Sequence, residues 1–202
     1  MKAHLMSPTE LLRAYESDLQ EAFPPSELKP LSAMEDLRSK GLYDPLCFFS
    51  DEGNLLGYAL LWRHKDGRYI LIDYLCVPAP QRNRGIGAAL IKAMQEQYPS
   101  DTVFLWESEA PTGNQELDPM ILRRLGFYQR CGAKILGYDC ALFGVHFKDL
   151  CLASPMPTEE EILRKHQEIY KSQFTPERYA QFIQLPLAPG EAPFEITDWT
   201  ED

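Results

Sequence analysis

The sequence predicts an α/β (α+β) domain in which a mixed, mostly antiparallel central sheet is flanked by helices. Three successive strand-like runs, 45–50, 55–63 and 69–77, are joined by segments around Gly53 and Gly67. Both connections have the composition of hairpin turns, so the three runs are expected to form an antiparallel meander. The third run continues through a glycine-containing loop into a helical pattern and another strand, an order that implies a parallel crossover and therefore a mixed sheet.

Two helices are predicted before the first strand. The segment Ser7-Pro8-Thr9-Glu10 has the form of a capping box with proline at the first helical position, and it opens an amphipathic helix that ends at Pro24-Pro25. Ser32 and Glu35 repeat the capping signal, which predicts a second helix that begins there and ends at Gly41.

The remaining pattern predicts a domain that closes near residue 155. Apolar residues from Ile86 to Tyr98 follow one helical face, and the runs after them predict a strand over 102–106, a helix over 116–131 and strands over 133–140 and 142–152. We therefore assign residues 1–155 to the domain and 156–202 to a C-terminal helical appendage with an acidic tail. A capping box at Thr158 and Glu161 predicts a helix there, and 176–184 predicts another; Phe194 and Trp199 suggest that part of the tail docks on the body.

Composition limits the classes of partner. The chain has 202 residues, 45% of them apolar, and a net charge of −10, so the basic footprint of a nucleic-acid binder is missing. No apolar run reaches the length of a membrane span. The five cysteines have no C-x-x-C spacing, which favours buried thiols in a reducing compartment and a cytoplasmic protein. The four histidines have no metal-ligand spacing, so no metal is predicted.

The junction between the third strand and the next helix has the features of an anion site. The first N–H groups of a helix have no internal partner, and they lie at the positive end of its dipole. Gly85 and Gly87 remove the Cβ atoms that would keep an anion away, and Arg82 and Arg84 add positive charge. The stretch therefore predicts a phosphate or pyrophosphate site.

Two motifs identify whose phosphate this is. The loop lacks the G-x-x-x-x-G-K-[ST] of a P-loop, and Leu90 stands where a dinucleotide fingerprint has its third glycine. Instead, Leu75-x-Val77 followed by Arg82-x-x-Gly85-x-Gly87 resembles the acyl-CoA signature of the GCN5-related N-acetyltransferase (GNAT) family. The order of elements resembles that family's over about residues 5–152. The segment Leu125–Ala133 is similar to the family's F/L-Y-x-x-x-G-F motif, although Ala133 replaces the usual aromatic and Ile121 replaces a frequent asparagine.

The resemblance implies acetyl-CoA as the acyl donor and gives each motif a role. The backbone at the end of the strand would run beside the pantetheine arm, and the loop amides would hold the pyrophosphate. Tyr128 would lie near the sulfur as general acid; the alternative is that its ring only packs in the core. The cofactor-binding residues implied in this way are Leu75, Cys76, Val77, Arg82, Asn83, Arg84, Gly85, Ile86, Gly87, Ala88 and Tyr128.

The general base is harder to assign. In the histone-modifying branch a glutamate on the glycine-loop strand does this work, and Leu71 occupies that position here. The other candidates are Asp73, Glu107 and Glu109, of which the two glutamates share one side of a strand and form a carboxylate pair suited to an ammonium. Solvated strand-end acids and a water chain remain alternatives. Cys76 has no neighbouring histidine to activate it, so direct transfer is expected rather than an acyl-cysteine.

The function expected from the sequence is an N-acetyltransferase that moves an acetyl group directly from acetyl-CoA to a primary amine of a small molecule or peptide. The alternative is a catalytically inactive acyl-CoA-binding sensor or regulatory protein of the same fold. The partners are then acetyl-CoA and an amine, with no nucleic acid and no membrane. The sequence leaves the amine unidentified and a homodimer open.

Overall fold

The computed structural model describes residues 1–25 and 27–196, and the chain divides into two compact units, Met1–Thr102 and Val103–Asp202. Each unit carries four strands. Within the described part, no helix has both the length and the apolar character needed to cross a membrane.

Two helices of the first unit were predicted from capping signals, and the first of these signals is confirmed. Helix α1 (Pro8–Ala14) opens on the predicted capping box, in which the side chains of Ser7 and Glu10 each accept the other's backbone N–H. It continues through a π-helical segment (Tyr15–Leu19) into the short α2 (Gln20–Ala22).

Helix α3 (Leu31–Ser39) starts earlier than predicted. The capping box at Ser32 and Glu35 is wrong, because the residue before the helix is Pro30, whose extended backbone turns the chain two positions before Ser32. The Glu35 carboxylate pairs instead with Arg38, 3.1 Å away and one turn along the helix.

The sheet of the first unit contains the predicted meander. Strands β1 (Lys2–Leu5), β2 (Tyr43–Phe49), β3 (Leu55–Arg63) and β4 (Tyr69–Cys76) pair antiparallel in that order. Strand β1 was not predicted, since its four residues are mostly exposed and carry no clear apolar alternation. Helix α4 (Ile86–Gln95) follows the glycine loop and buries Leu90 and Met94.

The second unit is also antiparallel. Its strands β5 (Val103–Glu109), β6 (Lys134–Leu142), β7 (Val145–Leu152) and β8 (Ile183–Leu187) are arranged in the order β5-β7-β6-β8. Its helices are α5 (Asp118–Arg130), α6 (Glu159–Lys171) and α7 (Pro176–Phe182). Thr158 caps α6 as predicted, by accepting the N–H of Glu161.

The C-terminal segment contributes a strand as well as helices. The helix predicted to reach Gln184 ends at Phe182, because the next residues pair with β6 as β8. The Gln184 side chain accepts the N–H of Phe194 at 2.8 Å and donates to the carbonyl of Ala192, so the tail docks here. The expected docking of Trp199 lies outside the described residues.

A missing side chain lets α4 lie close to the β3–β4 pair. A Cβ placed on Gly57 of β3 would lie 2.5 Å from both the carbonyl oxygen of Cys76 and the Cδ1 atom of Leu90. Neither distance is compatible with a packed side chain, so only glycine fits between the end of β4 and the helix.

We therefore expect Gly57→Ala to lower the free energy of unfolding by about 1–3 kcal/mol, the usual cost of overpacking a core. Urea unfolding followed by far-UV circular dichroism measures it. The matched control is Gly126→Ala within α5, where the new Cβ meets only the flexible Arg130 side chain at 3.2 Å. That variant should gain about 0.5–1 kcal/mol, because alanine favours helix. Equal effects at both sites would contradict this account.

Candidate active site

The glycine loop joins the end of β4 to the first turn of α4. After Cys76 the chain passes through a 3₁₀ turn at Ala79–Gln81 and an exposed loop, and Gly85 then caps α4 in a left-handed conformation, with φ of 76°. A residue with a side chain would be strained at this angle. The local sequence thus stops the strand with prolines and restarts the chain as a helix at one exposed point.

Backbone amides supply the anion-binding character of this loop. The first intrahelical bond of α4 runs from the Ala89 N–H to the Gly85 carbonyl at 3.3 Å, so the amides of Ile86, Gly87 and Ala88 precede the helical ladder. Arg82 donates from Nε to the Val77 carbonyl at 2.9 Å, which ties the loop to the end of β4. Amides in this position can bind an anion. The phosphate site predicted from the sequence stays a prediction.

The thiol of Cys76 is unsuited to nucleophilic attack. It is 2% exposed at the end of β4. Burial, with a smaller contribution from the charge of Asp18, raises its pKa to about 11. Because only the thiolate is a strong nucleophile, this environment supports direct transfer over an acyl-cysteine intermediate.

Asp73, one of the candidate bases, already has partners. It is the extra residue of a β-bulge, since Leu60 of β3 faces Tyr74 while the next residue faces Ile72. Its carboxylate accepts the Tyr43 hydroxyl at 2.6 Å and lies 2.9 Å from the Lys29 ammonium. Lys29 also sits 3.8 Å from the centre of the Trp62 ring. This carboxylate therefore anchors the segment before α3.

Tyr128 lies in the last turns of α5 and is held by its ring. The ring makes an edge contact with Trp106 of β5, with 5.2 Å between centroids. Burial raises the pKa of the half-buried phenol, partly offset by the charge of Arg124. Within the described part of the chain, its hydroxyl makes no hydrogen bond. It is therefore a protonated donor that is free to bind a ligand atom.

Glu107 and Glu109 contact different helices. Glu109, the more exposed of the two, forms an ion pair with Arg124 of α5 at 3.0 Å. Glu107 is 10% exposed, and its Oε1 atom accepts hydrogen bonds from His166 Nε2 at 2.7 Å and from the Tyr170 hydroxyl at 2.8 Å, both on α6. The two glutamates are thus not a free carboxylate pair, and each has its own cationic neighbour.

A second buried carboxylate lies behind the histidine. Asp149 of β7 stands directly opposite Glu107 in the β5–β7 ladder, and its Oδ1 atom is 3.4 Å from His166 Nδ1. Asp149 and His166 each have side chains that are 1% exposed. Within the described residues, neither carboxylate oxygen of Asp149 makes a hydrogen bond that meets normal geometry.

Burial dominates the electrostatics of this cluster. It raises the pKa of Asp149 to about 8, and the charge of His166 opposes this only in part. For His166, burial alone would lower the pKa, but the hydrogen bond to Glu107 and the charges of Glu107 and Asp149 raise it overall. The cluster therefore holds protons that exposed groups would have released at neutral pH.

Glu107, Cys140 and Asp149 could also offer ligand atoms to a metal ion, since one donor atom of each lies within 4.8 Å of the others. Burial and the neighbouring carboxylates raise the pKa of the Cys140 thiol well above its usual value, which disfavours the thiolate that a metal would need. The sequence's expectation of no metal stays a prediction.

Sequence reasoning missed His166, Tyr170 and Asp149. His166 is 59 positions from Glu107, so no local spacing connects the two. One signal was present: His166 and Tyr170 lie on the same predicted face of α6 as Ile162 and Ile169. Polar groups on an apolar face must find buried partners.

A comparison with protein-family models places the chain in a family. The model described as the acetyltransferase (GNAT) family matches residues 9–132. The chain belongs to the GNAT acetyltransferase family. The predicted fold class is confirmed with it. A search of curated proteins found no match.

Solved structures of the same fold support this assignment at low sequence identity. A protein of Bacteroides thetaiotaomicron assigned to the GNAT family aligns with a TM-score of 0.67 and 17% identity, over 85% of this chain and 96% of that one. The ribosomal-protein-S18-alanine N-acetyltransferase of Escherichia coli gives 0.57 and 14%, over 78% and 96%. The spermidine N-acetyltransferase of Vibrio cholerae, solved with CoA and spermine, gives 0.54 and 11%, over 76% and 95%.

The raised pKa of Asp149 predicts a pH-dependent stability. Between pH of about 4, where the unfolded aspartate ionises, and about 8, the native state holds one more proton. Stability contributed by this group is therefore lost as pH rises through that window, by at most about 1.4 kcal/mol per pH unit. We expect Asp149→Asn, which copies the protonated form, to match the wild type near pH 5 and to exceed it near pH 8.

Urea unfolding of both proteins from pH 5 to 9 measures this difference, in which groups common to both largely cancel. The control is Asp139→Asn on β6, an aspartate paired with Lys148 at 2.7 Å and only half-buried. A difference between Asp149→Asn and wild type that does not change with pH would refute the assignment.

Proposed function

We propose that this protein transfers an acetyl group from acetyl-CoA directly to a primary amine of a small molecule or peptide. The observation that carries the proposal is the exposed first turn of α4, capped by left-handed Gly85 directly after β4. Its free amides suit the pyrophosphate of a CoA thioester. Neighbours solved with CoA are consistent with this donor. The expected cytoplasmic location remains a prediction.

The proposed cofactor contacts divide into backbone and side-chain parts. The backbone at 75–77 would lie along the pantetheine arm, and the amides of 82–88 would hold the pyrophosphate. Arg82 and Arg84 would add charge at the exposed edge. These contacts need little from side chains, which suits a loop built around two glycines.

The proposed proton donor is Tyr128. A thiolate leaving the thioester needs a proton, and the Tyr128 phenol is protonated, ring-packed and unbonded at its hydroxyl within the described chain. Trp106 and Glu107 are consecutive on β5, so their side chains point to opposite faces. This suits a reaction that gives a proton to the sulfur on one side and takes one from the amine on the other.

Glu107 and Glu109 are the proposed carboxylates for the acceptor. Either would attract an ammonium, and the chain's acidic balance fits a cationic substrate. Glu107 is the better supported of the two, because two hydrogen bonds fix its Oε1 atom while Oε2 accepts none from the described residues. Glu109 is partly neutralised by Arg124.

The pyrophosphate site is tested by Ala88→Asp. Position 88 is exposed in the first turn of α4, where a carboxylate interacts favourably with the helix dipole, so the free protein should lose no stability. The same charge should repel the pyrophosphate and weaken acetyl-CoA binding roughly tenfold or more, about 1.4 kcal/mol, measured by calorimetry. Ala88→Gln is the neutral control and should bind nearly as the wild type. Equal affinities for all three would remove the loop from the site.

Catalysis is tested by the release of free CoA thiol with polyamines, amino acids, aminoglycosides and peptides as acceptors. Tyr128→Phe should lower kcat by about 10²–10⁴-fold, the usual contribution of a general acid. Acetyl-CoA affinity and stability should change little, because the hydroxyl makes no bond within the described residues. Tyr179→Phe on α7 is the control, since the Tyr179 hydroxyl likewise has no hydrogen bond to any described residue.

The same assay separates the enzyme from a sensor. An acyl-CoA-binding protein without activity would be stabilised by acetyl-CoA, by about 2.7 kcal/mol at 100 times the dissociation constant, yet would turn over no amine. Wild-type turnover that is unaffected by Tyr128→Phe would leave the enzyme standing and remove this residue from its mechanism.

A further inference from the structure

Helix α6 places two polar side chains on one carboxylate. His166 and Tyr170 are separated by one helical turn, and both donate to the same oxygen of Glu107, at 2.7 and 2.8 Å. The family model ends at residue 132, well before this helix. The contact therefore links the C-terminal segment to a residue of the proposed acetyl-transfer site.

The imidazole of His166 bridges two carboxylates. Its Nε2 atom faces Glu107, and its Nδ1 atom lies 3.4 Å from Asp149 Oδ1. Glu107 and Asp149 are cross-strand neighbours, so the sheet holds them at a fixed separation beneath the helix. The bond to Glu107 fixes the Nε2 side of His166, whereas Nδ1 lies near Asp149 without a hydrogen bond within the described residues.

The titratable side chains around the imidazole are mostly acidic. Within the described residues, no lysine or arginine pairs with Glu107 or Asp149, and Lys148 is bound to Asp139. One imidazole thus lies between two carboxyl groups, and the raised pKa of His166 favours its protonated form. The titratable groups that act on this network are Glu107 of β5; Tyr138, Asp139 and Cys140 of β6; Asp149 of β7; Tyr170 of α6; and Tyr179 of α7, which faces Cys140.

We propose that His166, assisted by Tyr170, is a positioning residue for acetyl transfer: it holds Glu107 as a carboxylate so that Glu107 can take a proton from the acceptor ammonium. Asp149 lies on the other side of the imidazole, 3.4 Å from Nδ1. This inference rests on the proposed function, and it makes α6 a working part of the enzyme rather than an appendage.

The proton balance of the step is complete. An acceptor ammonium loses two N–H protons as its nitrogen bonds to the acetyl carbon and the carbon–sulfur bond breaks. Glu107 takes one proton through Oε2 and passes it to solvent. The other leaves the nitrogen and reaches the Tyr128 phenolate through solvent, and so replaces the proton that Tyr128 gives to the thiolate. His166 keeps its own protons throughout and only stabilises the charge on Glu107.

The test is the pH dependence of kcat/KM, with the amine of the panel that gives the fastest thiol release. His166→Gln preserves an N–H donor for Glu107 but removes the positive charge beside it. We expect the midpoint of the rising limb to move up by about one pH unit, the size expected for losing a charge-assisted bond. Tyr170→Phe should move it in the same direction by less.

The matched control is His146→Gln. His146 forms a similar pair with Asp139 at 2.8 Å, but both side chains are half-exposed and neither contacts Glu107. Its profile should coincide with that of the wild type. Acetyl-CoA affinity, measured for every variant, should not change.

The outcomes separate the inference from the function on which it rests. Suppose that the wild type turns over the amine, and that the pH profiles of His166→Gln and Tyr170→Phe fall in height but keep the wild-type midpoint. That result would overturn the positioning role and leave α6 purely structural. No turnover by the wild type would overturn the proposed function and this inference together. If His166→Gln does not fold, Tyr170→Phe decides, because it leaves no buried charge unpaired.

Discussion

The close packing of α4 on the β3–β4 pair is the constraint on which the cofactor loop depends. Gly57 leaves room for the Cys76 carbonyl and the Leu90 side chain at the same point, so the end of the strand and the start of the helix are brought together. The loop between β4 and α4 must then turn sharply to connect them, and the left-handed conformation of Gly85 permits this turn. The helix start is therefore fixed by core packing and needs no side-chain cap. Its amides remain available to an anion.

The second unit depends on the opposite kind of interaction, a buried charge. Moving a carboxylate out of water costs several kcal/mol even when it is paired, and apolar residues of similar size would often hold a helix equally well. Glu107, Asp149 and His166 are nevertheless all at most 10% exposed. A stability argument alone does not explain why α6 uses this network to bind β5 and β7. The proposed role of Glu107 in acetyl transfer would explain it, because that role requires an ionised carboxylate.

Local signals predicted much of the fold. Strand β3 was predicted with its observed bounds because turn residues flank a long β-forming run on both sides, and α1 was predicted because the capping box is contained within four residues. Strands β1 and β8 were missed because short strands form by pairing with distant residues, here Phe49 and Asp139. Ser32 failed as a cap because Pro30, two positions earlier, already supplies the required backbone turn.

Some residues of the candidate site could also be predicted from local sequence, and others depend on contacts between distant residues. The glycine loop is a contiguous motif, so its residues could be named from the sequence, whereas the partners of Glu107 come from β7 and α6 and have no sequence spacing that reveals them. Strand period put Glu107 and Glu109 on one side, but it could not show that each would meet a different helix.

The chemistry also differs between the two units. In the first unit, burial keeps Cys76 as a thiol, and the Asp73 carboxylate binds Tyr43 and Lys29. The groups left to bind the proposed cofactor are therefore mainly backbone amides and carbonyls. In the second, Tyr128 and Glu107 have atoms that no described residue uses, and each is fixed by its other contacts. A thioester transfer needs one part that binds without reacting and one that moves protons. The roles proposed for the glycine loop and for Tyr128 and Glu107 follow this division.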